Sequence, residues 1–127
     1  MSDLIYPKEA YLITGLCMQI HRILGFGLAE IVYKDALTYE LGEEEILFER
    51  EKKYEIIYKN IILPHFYFAD FLAMNKIIIE IKAKSGIANE DIAQTVNYLK
   101  ISGCKLGLIF NFGKPRLEVK RIVNTAQ

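Results

Sequence analysis

The stretch from Ile77 to Lys84, "IIIEIKAK", narrows what this chain can fold into more than any other. Three consecutive isoleucines leave no polar face, so a strand here is buried on both sides between other layers of structure. The isoleucine run then admits Glu80 and Lys82. Alternate residues of a strand share a face, so Ile78, Glu80, Lys82 and Lys84 project together. A core strand that ends in a carboxylate and an ammonium on one side is either a salt-bridged strand end or a site.

The remaining sequence supplies the layers. From Pro7 to Leu24, apolar residues at Leu12, Ile13, Leu16, Ile20, Ile23 and Leu24 trace one helical face, with Pro7 suited to the first turn and Gly25 to the stop. "GFG" at 25–27 reads as a tight connection. A second helix is predicted over 28–41, with Ile31, Val32, Leu37 and Leu41 inward and Gly42 as its terminator. The period then changes. "ILFEREKKYEIIYKNIILPHFYFADFL" is rich in β-branched and aromatic residues and reads as two strands joined at Lys59-Asn60, with Pro64 breaking the ladder or sitting at a bulge. A turn at "MNK" leads into "IIIEIKA". Helical spacing resumes over 89–101 through Ile92, Ala93, Val96, Tyr98 and Leu99, and ends at Gly103. "KLGLIFNF" and the weaker "LEVKRIV" close the chain as strands. The order α-α-β-β-β-α-β-β predicts an α/β fold of the mixed α+β kind, a mixed sheet flanked by helices. With no repeat, low-complexity tract or linker in 127 residues, the chain reads as a single domain over 1–127.

Charge and cysteine content restrict the function classes. Sixteen basic residues balance 16 acidic ones, which argues against a protein that holds nucleic acid mainly by bulk charge. Cys17 and Cys104 lack metal-ligand spacing and read as reduced thiols, with no zinc site. Residues 1–13 lack a basic segment followed by an apolar core, and no apolar run reaches the ~18 residues of a membrane span. The expectation is a soluble, cytoplasmic protein with no membrane partner.

Asp70, in "FADFL", lies ten residues before Glu80 across the proposed hairpin. If the loop holds three residues, Met74 to Lys76, Asp70 stands opposite Glu80 on one sheet face. If it holds two, Asp70 pairs with Ile79 and points away. In the first register two carboxylates converge, and they repel unless a cation lies between them. Hard oxygen donors in small number suit Mg²⁺ or Mn²⁺. Lys82 beside such an ion could orient a water and stabilise charge on a phosphate. The plainer reading is that Glu80 and Lys82 form the salt-bridged, exposed end of a strand.

Asp70 followed by Glu80-Ile81-Lys82 resembles the PD-(D/E)XK nuclease signature. Gln94 and Tyr98, in "QTVNY", resemble the Q-x-x-x-Y motif of some exonuclease-like branches of that superfamily, four residues apart on one helix face. "GLAEIVY" (Gly27, Glu30, Tyr33) matches the motif of the GxxExxY protein family, and "IHRILGFG" and "GLIFNFGKPRLEVKRIV" are similar to it too. Phe26 departs from that family, which usually has proline there. The resemblance spans about residues 5–123. It implies a restriction-endonuclease-like core in which Asp70, Glu80, the Ile81 carbonyl and Glu30 hold Mg²⁺ or Mn²⁺ and Lys82 positions the attacking water. Gln94 and Tyr98 would line the path of a nucleic acid, with Lys84, Lys114 and Arg116 as phosphate contacts. Taken without the resemblance, Glu30 and Gln94 are ordinary exposed helix residues, Tyr98 a core aromatic, and the lysines solubilising. A non-catalytic module on the same fold, binding nucleic acid or a protein, is the alternative, and dimerisation or a partner protein is compatible with either.

Overall fold

The computed structural model describes residues 4–124. The ends of the domain read over 1–127, including the first residues of the N-terminal stretch, lie outside the described residues. The elements follow the expected order: α1 (Pro7–Leu24), α2 (Glu30–Glu43), β1 (Phe48–Tyr58), β2 (Ile61–Ala73), β3 (Ile77–Lys82), α3 (Asn89–Ser102), β4 (Leu106–Asn111) and β5 (Glu118–Val123). The strands form one sheet in the order β1-β2-β3-β4-β5. Only β3 and β4 run parallel, and α3 is the crossover that a parallel pair requires. The other neighbours are antiparallel.

β3 and β4 are buried along almost their whole length, as the isoleucine run demands. Helices α1 and α2 cover one face, packing Ile13, Cys17, Ile20, Leu37 and Leu41 against Phe71, Ile77, Ile79, Ile81, Leu108 and Phe110. α3 covers the other, setting Tyr98 and Leu99 against Leu72, Ile78, Ile109 and Ile122. Each fully buried aliphatic side chain contributes about 1.5–3 kcal/mol, so the two layers fix the sheet between them.

Several helix faces differ from the sequence expectation. Leu12, Ile23 and Leu24 are exposed, because the contact stripe of α1 is narrower than its apolar content. On α2, Ile31 and Val32 face solvent while Tyr33 and Lys34 are buried. Tyr33 sets this rotation: its ring stacks on Phe112 at 4.5 Å, and its hydroxyl donates to the Gly25 carbonyl at 2.7 Å and accepts from Leu28 N. The helix begins two residues later than expected and runs past Gly42. α3 buries Asp91 and Thr95 and leaves Ala93 exposed.

β1 and β2 make a long ribbon closed by the two-residue loop Lys59-Asn60. Its register slips between Glu55 and Ile57, opposite a bulge over 63–65 that contains Pro64. β2 pairs with β3 only from Phe71–Ile79 to Ala73–Ile77, across the three-residue loop 74–76. Beyond Phe71 the backbone pairing of β2 with β3 ends, so the two strands form a fork.

Candidate active site

The fork holds the predicted carboxylates. Since Phe71 faces Ile79, Asp70 and Glu80 occupy the next rung, the register in which they meet. Backbone pairing stops there and side chains replace it: the Asp70 amide donates to Glu80 Oε2 at 2.8 Å, and the Ile81 amide donates to Asp70 Oδ2 at 2.8 Å. N–H and C=O of a strand residue point to the same edge. The Ile81 carbonyl therefore faces the fork.

Glu80 is 2% exposed. Burial, then the neighbouring Asp70 charge, pushes its carboxyl up to about 8, against the opposing pull of the Asp70 amide and of Lys82 and Lys34. Glu30, at the start of α2, lies within electrostatic reach of Asp70, Lys82, Lys34 and Glu51, and burial together with Asp70 raises its carboxyl. Lys82 approaches Asp91 Oδ1 of α3 at 3.9 Å, an ion pair too long for a hydrogen bond. Lys84 reaches Asp91 Oδ2 at 2.5 Å. Burial would raise Asp91, but Lys84 and the Ala88 amide hold it below the usual range.

Sequence reasoning missed four participants. Lys34, 8% exposed, donates to Asp70 Oδ1 at 3.1 Å and pairs with Glu51 Oε2. Glu51 stands opposite Asp70, because Arg50 faces Phe71 and Lys52 faces Ala69, and its own rung is missing from the ladder. Asp91 collects both lysines that follow Glu80. Asn111 clamps the strand end, accepting from Lys84 N at 3.0 Å through Oδ1 and donating to Lys84 O at 3.0 Å through Nδ2. Lys34 follows Glu30 by four residues on one helix face, the signal that could have found it.

The other candidates sit on α3 and on the connection between β4 and β5. Gln94 is exposed on α3. Tyr98 is buried, and its hydroxyl donates to the Phe68 carbonyl at 2.9 Å, tying α3 to β2 just before Asp70. The Lys114 carbonyl accepts from His21 Nε2 at 2.8 Å. Arg116 lines a surface cavity with His21, Arg22 and Leu117.

The donor set fits a hard divalent cation: two carboxylates on one rung, with a backbone carbonyl facing the same gap. Among the described residues no three His, Cys, Asp or Glu side chains converge as a metal cluster. Two carboxylates suffice for Mg²⁺, whose shell is usually completed by waters and substrate oxygens.

Glu80 also makes a test of stability. A carboxyl raised to about 8 in the folded chain and ordinary in the unfolded one binds its proton more tightly when folded. Its contribution is complete below the unfolded value and is lost as pH rises through about 8. Without metal, the wild type should lose about 2 kcal/mol between pH 6 and pH 8, and Glu80→Gln should remove most of that slope. Urea denaturation at the two pH values measures it; parallel slopes in both proteins would show that Glu80 does not carry the effect.

A mixed five-stranded sheet between helices, with an Asp and a Glu-x-Lys meeting where two central strands part, defines a nuclease-type α+β core. The model of the PD-(D/E)XK nuclease superfamily matches residues 7–122, and the chain belongs to that superfamily. No curated protein sequence matches the chain. Among solved structures it is similar to the crystal structure of SSO0001, with a TM-score of 0.57 and 22% identity over 96% of this chain and 61% of that one. It is also similar to an alkaline exonuclease (LHK-Exo) from Laribacter hongkongensis, with a TM-score of 0.51 and 14% identity over 98% of this chain and 72% of that one. The chain thus spans about three fifths of the first of these. Among the described residues no helix is long and apolar enough to cross a membrane.

Proposed function

We propose that this chain is a metal-dependent phosphodiesterase acting on nucleic acid, with its centre in the fork between β2 and β3. The observation that carries this reading is the rung on which Asp70 and Glu80 replace backbone hydrogen bonds with carboxylates. Nucleases of this superfamily generally use divalent metals, and the donor set here suits Mg²⁺ or Mn²⁺. When bound, such an ion would act as a Lewis acid at a phosphate oxygen and acidify water.

In this reading Asp70 and Glu80 would hold the ion with the Ile81 carbonyl beside them, and Glu30, at the start of α2, would add negative charge within electrostatic reach. The raised Glu80 carboxyl would have to be deprotonated to serve as a ligand, so metal affinity is expected to fall toward low pH. Lys82, on the strand face shared with Glu80, orients the attacking water and stabilises charge on the phosphate. Lys84, Lys114 and Arg116 contact the backbone of the nucleic acid. Gln94 faces the substrate from α3, and Tyr98 acts through its bond to the Phe68 carbonyl, holding β2 in place. Gly27, Glu30 and Tyr33 support assignment to the GxxExxY family within the superfamily. Gly27 has a φ of 103°, which glycine tolerates and other residues resist, and Tyr33 pins the same turn. The free thiols Cys17 and Cys104 fit a cytoplasmic setting.

Calorimetric titration of Mn²⁺ into the wild type and Asp70→Ala at neutral pH tests the site without a known substrate. Binding by the wild type and at least about tenfold weaker binding by the variant are expected. Absence of binding in the wild type would transfer preference to the non-catalytic module.

A further inference from the structure

We propose that Lys34 is a built-in counter-ion that competes with a divalent cation for Asp70, and that Glu51 is the carboxylate that retains its ammonium when the cation binds. This rests on the reading of the fork as a metal site and adds a regulation to it.

The oxygens of Asp70 have separate duties. Oδ2 accepts the Ile81 amide and so helps hold β2 to β3, whereas Oδ1 accepts the ammonium of Lys34 at 3.1 Å. A cation drawn to Asp70 without pulling the strands apart therefore needs Oδ1. A divalent ion and an ammonium on one carboxylate oxygen are a few ångströms apart, where repulsion of like charges in a protein interior far exceeds thermal energy. The ammonium must give way.

Lys34 has somewhere to go. It also pairs with Glu51, whose side chain is 49% exposed whereas that of Asp70 is 13% exposed. Glu51 is held in an unusual conformation: it lies inside β1 with a φ of 54°, a region that non-glycine residues enter at a cost of about one to a few kcal/mol. Its rung opposite Asp70 is missing from the ladder. The departure from regular pairing thus falls where a carboxylate partners Lys34 from the outer side.

The test is Mn²⁺ calorimetry on the wild type, Lys34→Met, Glu51→Gln and the double variant, each first shown to be folded by circular dichroism. Lys34→Met is expected to tighten Mn²⁺ binding by about tenfold, a usual size for coupling between two ligands of one site. Glu51→Gln, which leaves the ammonium to Asp70 alone, is expected to weaken binding severalfold. It keeps the buried lysine, and so it serves if Lys34→Met does not fold. The double variant should match Lys34→Met, because Glu51 acts only through Lys34. Unchanged or weaker binding by Lys34→Met overturns the proposal, as does unchanged binding by Glu51→Gln or a double variant that merely adds the two single effects. If neither the wild type nor Lys34→Met binds Mn²⁺, the metal-site reading itself fails and takes the proposal with it. Binding by the wild type without a Lys34 effect defeats the counter-ion alone.

Discussion

Lys82→Ala is expected to lower nucleolytic turnover by a factor on the order of 100 to 1,000, the usual loss when one preorganised charge is removed from a reacting centre. Affinity for Mn²⁺ should stay within about threefold, because Lys82 donates positive charge and supplies no metal ligand. The geometry supports the division. Lys82 follows Glu80 by two residues on the face covered by α3, its side chain is 18% exposed, and its ammonium stays 3.9 Å from Asp91. That separation leaves it available for a water or a phosphate oxygen. Lys84 makes the natural comparison, since its ammonium is engaged by Asp91 at 2.5 Å. Lys84→Ala should cost much less in turnover and act mainly on substrate affinity. Single-turnover assays with Mg²⁺ on labelled single-stranded and duplex DNA and RNA, paired with Mn²⁺ calorimetry, measure both quantities. Full activity in Lys82→Ala would remove that residue from the chemistry.

Gly113→Ala should be the most damaging single substitution for the fold near the site, at about 3 kcal/mol or more. A Cβ built on Gly113 would lie 2.2 Å from both Lys84 N and Lys84 O and 2.7 Å from the Ala83 carbonyl carbon. These are backbone atoms, so no rotamer change relieves the clash. The surrounding segment cannot move freely either. Asn111 bonds both backbone groups of Lys84, accepts the Gly113 amide at 3.1 Å and donates to Glu118 Oε1 at 3.0 Å. The expected result in urea is a lower midpoint with an unchanged slope. A loss under about 1 kcal/mol would mean that the two loops separate easily and that Asn111 does not clamp them.

How much of this could be read beforehand depended on how local each signal was. The isoleucines of β3 showed a strand covered on both sides because burial of three adjacent side chains has one structural solution. Asp70 and Glu80 were legible up to a choice between two loop lengths, and Met74 and Asn75, both left-handed, close the three-residue version. Lys34 was masked by its neighbours, although its four-residue spacing from Glu30 was there to read. It stands beside Ile31 and Val32, whose hydropathy favours them as the inner face of α2, whereas Tyr33, stacked on Phe112 and bonded to a turn eight residues earlier, rotates the helix otherwise. Lys34 also changes the meaning of Asp70, whose charge it compensates inside the protein. Asp91 and Asn111 were hidden for a similar reason. Each acts by meeting a backbone or a lysine from a distant element, which no spacing within the chain displays.

The fork has a consequence for how such a chain can change over generations. Wherever β2 and β3 could continue to zip together, the lowest-energy choice would be a pair of β-branched residues in place of Asp70 and Glu80, each closing its rung through the main chain and hiding apolar surface. The protein instead keeps a locally frustrated spot, where the best sequence for folding and the best sequence for chemistry disagree. A lineage drifting under selection for durability alone would seal this gap first, and a sheet with the gap closed would be the mark of a descendant that had kept the shape and abandoned the reaction.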